Sequence, residues 1–130
     1  MKIKSYFLII FLYSISISNL YAIDPEIFVQ STVNRASKVL GENISKNQKM
    51  IELQKIAKDT VDIKGIGFYT LGSIRKNLNQ DQKDKYSKLF EKYFLKSFSS
   101  RLAEYTNPEI DVFAKDILNE NYSIVNSLLQ

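Results

Sequence analysis

From Asp24 to about Tyr105 the apolar positions recur at spacings of three and four, the period of helices, and after Pro108 they alternate, the period of strands. Asp24 is placed to cap a helix whose first residue is Pro25. Val29, Val33, Ala36 and Leu40 line one face of that helix and Gly41 ends it. A second helix is expected from about Gln48, with Met50, Leu53, Ala57 and Val61 on one side. Asp62 is placed to cap a short third helix carrying Ile66, Phe68 and Leu71 before Gly72.

The fourth helix is announced by Asn79 with Gln82 three residues on, a capping box, and meets no glycine or proline as far as Tyr105. Turned at 100° per residue, Leu89, Tyr93, Tyr86, Ser97, Phe90, Phe94, Tyr105, Phe98 and Leu102 fall in one arc wider than half the circumference. A buried core helix is the expectation, and a face shown to a greasy ligand is the alternative. Lys85, Lys88, Lys92 and Lys96 occupy the other side. Asp81 and Asp84 precede Lys85 and Lys88 by four residues, an arrangement that stabilises a solvated helix by roughly 0.2–0.5 kcal/mol per pair. Solvation is the expected role of that stripe, with contact to acidic lipid headgroups left open.

Beyond Asn107-Pro108, Ile110, Val112 and Ala114 alternate. Lys115 to Asn121 reads as a connection with turn-forming Asn119 and Asn121, and Tyr122, Ile124, Asn126 and Leu128 alternate again. The fold class is therefore α+β: N-terminal helices packed on a twisted antiparallel sheet, of which the sequence holds the first hairpin. Two strands alone are marginal without a covering helix.

The first 22 residues read differently. Lys2 and Lys4 precede an apolar run from Tyr6 to Ile17, and Asn19-Leu20-Tyr21-Ala22 offers a small residue for a signal peptidase, so residues 1–22 are expected to be a cleaved signal peptide. A retained anchor is the alternative, although the uninterrupted apolar core is shorter than the ~20 residues a spanning helix needs. Export would leave one domain, 23–130, with a helical layer over about 24–105 and a hairpin over about 108–128.

Composition narrows the function. The chain has 18 basic and 14 acidic residues; without Lys2 and Lys4, 16 basic residues face 14 acidic ones, a net +2 that is no nucleic-acid footprint. Histidine, cysteine and tryptophan are all missing, which removes the usual zinc sites, the Cys/His and Ser/His nucleophile pairs and any disulfide staple. No catalytic residue, metal site or cofactor is expected, and an exported bacterial protein in the periplasm fits best. Gly65-Ile66-Gly67 has no strand before it and no third glycine, so it reads as close helix packing and not as a phosphate loop.

Phe68-Tyr69-Thr70-Leu71-Gly72, Asn79-Gln80-Asp81-Gln82, Tyr86, Phe90, Tyr93-Phe94-Leu95 and Arg101-Leu102-Ala103-Glu104-Tyr105 follow one another in an order that resembles the Mla-pathway periplasmic phospholipid-binding family, also called the toluene-tolerance auxiliary family. The resemblance covers about Asp24 to Leu128, and its specific part lies between Phe68 and Tyr105. It implies a carrier without reaction chemistry, holding a phospholipid by its acyl tails in a cavity between helices and sheet. The implied partners are an outer-membrane lipoprotein-porin complex and an inner-membrane ABC transporter, and the implied role is upkeep of outer-membrane lipid asymmetry. Phe98 falls where the family has an aromatic lining the cavity, and Lys83 at a basic position near the motif start. Periodicity extends the candidate lipid-binding set to Leu71, Phe94, Leu102, Val112 and Ile124.

The family continues beyond the position of Leu128 with further strands and a terminal helix that complete its pocket. Two acyl chains of about thirty methylenes need on the order of 24 kcal/mol of replacement contact, at roughly 0.8 kcal/mol each. Helices and one hairpin cover part of that, so weak lipid retention is expected of this chain alone. A truncated remnant without function, or a periplasmic adaptor or chaperone-like protein gripping polypeptide, are the alternative readings. A lipid or cell-wall enzyme ranks last.

Overall fold

The computed structural model describes residues 23–106 and 108–130, so the leader expected at 1–22 and Asn107 lie outside the described residues. Among the described residues four α-helices, α1 (Pro25–Gly41), α2 (Lys46–Thr60), α3 (Ile63–Thr70) and α4 (Gln80–Leu102), precede an antiparallel hairpin of β1 (Ile110–Asn119) and β2 (Tyr122–Leu129), an α+β architecture. A 3₁₀ turn, Gly72–Lys76, joins α3 to α4. Gly72 has φ of +55°, a left-handed conformation that glycine adopts without steric cost, so the chain can reverse there.

Each helix starts on a local signal. The Asp24 carboxylate accepts from the Glu26 amide at 3.0 Å with Pro25 behind it, and Asp62 accepts from the Gly65 amide at 2.9 Å. Asn79 and Gln82 form the expected capping box, each side chain bonding the other's backbone amide. A second box, Ser45 with Gln48, starts α2 two residues before the expected position. α4 ends at Leu102 and not at Tyr105, because the last residues close as tight turns, with the Tyr105 amide bonding to the Leu102 carbonyl.

The core is small. Leu40, Leu53, Ile56, Ala57, Ile63 and Leu95 are buried, and Val61, Phe90, Phe94 and Phe98 pack around the cluster of Ala57, Ile63 and Leu95. α4 lies on α2 and α3, and α1 lies on α2. Ion pairs between helices, Arg35–Asp59 at 2.8 Å and Lys58–Glu91 at 3.0 Å, are solvent-exposed and add at most about 1 kcal/mol each. The expected Asp81–Lys85 and Asp84–Lys88 pairs do not form among the described residues; the Asp84 carboxylate instead accepts from the Gln80 amide at 2.9 Å.

Two faces differ from expectation. In α3 the buried positions are Ile63 and Gly67, while Ile66 is exposed. In the hairpin, β1 runs on through Lys115 to Asn119, so the expected connection is mostly strand. Phe113 and Ala114 together oppose Asn126, between the pairs Val112↔Ser127 and Lys115↔Val125. One extra residue in a strand flips every later side chain to the other face. Lys115 thereby joins Ile110 and Val112 on the half-buried side in place of Ala114, and β2 turns Ser123 and Val125 inward, leaving Tyr122, Ile124 and Leu128 exposed.

Candidate functional site

α4 carries a ladder of four aromatic rings at helical spacing. Ring centroids are 5.8 Å apart for Tyr86–Phe90, 6.2 Å for Phe90–Phe94 and 5.7 Å for Phe94–Phe98, with planes within 27° of parallel. Residues four apart lie above one another on a helix, and offset stacking gives such pairs about 0.5–1.5 kcal/mol beyond their buried area. One flank of the ladder rests on Ala57, Ile63 and Leu95. The other is open, because the rings are half-buried and the next residues around the helix, Leu89 and Tyr93, are 58% and 70% exposed.

Two small contacts hold the ladder in place. Gly67 of α3 meets Phe90 so closely that a Cβ there would stand 2.9 Å from the ring. The hydroxyls of Thr70 and Tyr86 share a hydrogen bond at 2.9 Å, anchoring the first rung. The Gly65-Ile66-Gly67 element therefore does serve close helix packing, through its second glycine. On the far side of α4, buried Ser99 accepts a hydrogen bond from the Gln54 amide at 3.0 Å, fixing the rotation of the helix on α2.

The buried side of α4 is thus rotated away from the centre of its apolar arc. Leu95 and Ser99 face the core, the ladder sits at its border, and Leu89 and Tyr93 face solvent. The core reading holds for one part of the arc, and another part, Leu89 and Tyr93, is exposed.

The structure distributes the expected site residues over five places. Phe94, Phe98 and Leu102 share one half-buried face of α4. Leu71 is half-buried at the C-terminus of α3. Val112 lines a groove of about 670 Å³ between α1 and β1, together with Ile27, Gln30, Asn34, Lys38 and Phe113. Ile124 stands 46% exposed on the outer side of β2, away from the inward pattern expected of it. Lys83 lies in the first turn of α4, in a cleft of about 390 Å³ with Phe68, Arg75 and Lys76. Tyr86 and Phe90 complete the ladder but were not among the expected site residues, although their four-residue spacing from Phe94 was the signal for it.

The hairpin is fastened to α1 by charge. Lys115 places its ammonium on Asp24, and its backbone amide donates to Glu26 at 2.8 Å. The Lys115 hydrogen bond, with help from the Glu26 amide, holds the Asp24 carboxyl below its usual value; the same bond raises the Lys115 ammonium. Among the helices α1 makes the extensive contacts with the hairpin, so the ladder is left uncovered by the two strands.

No helix among the described residues is long and apolar enough to cross a membrane. The ladder offers ring faces and edges, with one hydroxyl contact at its first rung, so its chemistry is contact with apolar matter. The model of a family described as MlaC protein matches residues 30–130. None of the curated proteins and none of the solved structures compared with the chain matches it.

Proposed function

On the premise that this chain belongs to the MlaC protein family, we propose that it is a periplasmic phospholipid-binding protein that holds acyl chains along the open flank of the Tyr86–Phe90–Phe94–Phe98 ladder. The observation that carries the reading is the half-buried state of the ladder: one side is fixed by the core, and the other is apolar and has no partner among the described residues. Four stacked rings at helical pitch make a strip about as long as a hydrocarbon tail, since a helix rises ~1.5 Å per residue. Binding needs no cofactor and no bond chemistry.

In this reading Phe94 and Phe98 touch the tails, Leu102 and Leu71 extend the apolar strip, and Lys83 meets the charged end. Val112 and Ile124 are not neighbours of the strip, and a part for them would require the hairpin to fold over α4. The partners would be the lipoprotein-porin complex of the outer membrane and the ABC transporter of the inner membrane, with lipid passed between them to keep the outer leaflet asymmetric.

Photo-crosslinking tests the site. A benzophenone side chain at Phe98 should capture phospholipid, and the same probe at Phe113 in the α1–β1 groove should not. Capture at Phe113 alone would move the lipid to the larger groove and overturn the assignment to the ladder.

A further inference from the structure

The passage from α3 into α4 gathers cations in a cleft whose lining holds no carboxylate. Phe68 of α3, Arg75 and Lys76 of the 3₁₀ turn and Lys83 of α4 line one cleft of about 390 Å³. Lys64, one turn before Phe68, sets its ammonium 5.8 Å from the centre of the same ring. Among the described residues none of these four cations forms an ion pair, as is also true of Lys38, Lys85, Lys88, Lys92, Lys96 and Arg101; what sets this group apart is that Arg75, Lys76 and Lys83 share one cleft with no carboxylate in its lining. The lysine-rich groove between α2 and α4 is different, because Glu91 lines it and takes Lys58 at 3.0 Å.

Three cations lining one cleft that has no carboxylate in its lining repel one another and raise the local potential, which an anion relieves. The guanidinium of Arg75 offers paired donors in a fork that fits phosphate oxygens, and the lysines add point charges around it. Apolar side chains stand exposed in α3 and the 3₁₀ turn, two of these three elements: Ile66 at 41%, Tyr69 at 82% and Ile74 at 60%. Basic and apolar groups side by side match the boundary between lipid headgroups and acyl chains.

We infer that this end of the protein docks on a membrane surface bearing anionic phospholipid, with a headgroup phosphate of the bilayer seated between Arg75 and Lys76. The inference goes beyond lipid carriage, since it concerns how the protein meets a bilayer and not what it holds. Charge complementarity selects the occupant: the cleft has no carboxylate in its lining, and Ile74 and Tyr69 suit a surface with a hydrocarbon layer beneath it.

Co-sedimentation of the full chain with phosphatidylcholine vesicles, with and without a minority of phosphatidylglycerol, tests this. The parent should bind the anionic vesicles more tightly, and added salt should weaken that preference. R75Q/K76Q, which changes two exposed side chains, should bind them roughly thirtyfold more weakly, following from about 1 kcal/mol per cation near such a surface. Circular dichroism establishes that the variant is folded, and its lipid adduct in solution, measured separately by mass spectrometry, distinguishes loss of docking from loss of carriage. Equal binding of parent and variant, or of the two vesicle types, would overturn the inference. Displacement of the parent by inorganic phosphate, but not by chloride at the same ionic strength, would make the cleft a free-phosphate site and overturn the membrane assignment.

Discussion

Lys115, turned inward by the bulge in β1, pairs with Asp24, the residue that caps α1, so one carboxylate both starts the first helix and fastens the hairpin to it. The clip has a definite pH window. The Asp24 carboxyl is depressed below its ordinary 3.8, first by the Lys115 hydrogen bond and then by the Glu26 amide. A depressed carboxyl contributes stability above its unfolded value and loses it as pH falls through the folded one. The Lys115 ammonium is raised above its ordinary 10.5 by the bond to Asp24. Its contribution is complete below that value and is lost as pH rises through the folded one. The pair is therefore intact across neutral pH and opens below 3.8 and above 10.5, with Glu26 the other charged group facing Lys115.

Lys115→Met removes the ammonium and keeps the backbone bond to Glu26. Hydrogen exchange at neutral pH should then speed up in β1 and β2 while α2, α3 and α4 keep their protection, because the hairpin rests on α1. Uniform loss of protection, or none, would show that the clip does not hold the hairpin separately.

Gly67→Ala should be destabilising although alanine is the better helix former. The new Cβ would stand 2.9 Å from Phe90 Cδ1 and 3.1 Å from Cγ. Overpacking costs about 1–3 kcal/mol, against roughly 0.5–1 kcal/mol gained from replacing glycine in a helix. Urea denaturation should show a net loss, and adding Phe90→Leu should make the double variant lose less than the sum of the two single ones. Strict additivity would mean that the two residues do not constrain each other.

Leu53 is 1% exposed and Tyr93 is 70% exposed, although both belong to apolar runs of their helices. Leu53→Ala should cost about 2–5 kcal/mol by opening a cavity. Tyr93→Ala should lie within about 0.5 kcal/mol of the parent. A large loss at Tyr93 would place that ring in a contact that its exposure contradicts.

What could be read from sequence was local. Asp24, Asp62 and the Asn79–Gln82 box act within one turn, so their residue types announced them; Ser45–Gln48 has the same pattern and defines the start of α2 more closely than the apolar spacing did. The ordered motifs from Phe68 to Tyr105 were enough for the family resemblance. The rotation of α4 was not legible, because an arc weighs hydrophobicity alone, whereas a Gln54–Ser99 hydrogen bond and the side on which α2 lies decide which rings are covered. Ile124 was misplaced because the register sets the inward face of β2, with Val112 opposite Ser127 and so Ile124 on the other side, and an alternating pattern does not carry register. The cleft of Phe68, Arg75, Lys76 and Lys83 escaped notice because a 3₁₀ turn brings together residues spread over three elements.

Native mass spectrometry of the protein incubated with phospholipid decides whether it binds lipid along the ladder, since one spectrum reports compactness through the charge states and bound lipid through its mass. A narrow charge-state distribution is expected, with a one-to-one phospholipid adduct that grows as the lipid concentration is raised, as weak retention requires. Phe98→Ala should weaken that adduct roughly tenfold, from the loss of about 1.5 kcal/mol of apolar contact. A compact protein that takes up no lipid at any concentration, or an adduct indifferent to Phe98, would contradict binding along the ladder.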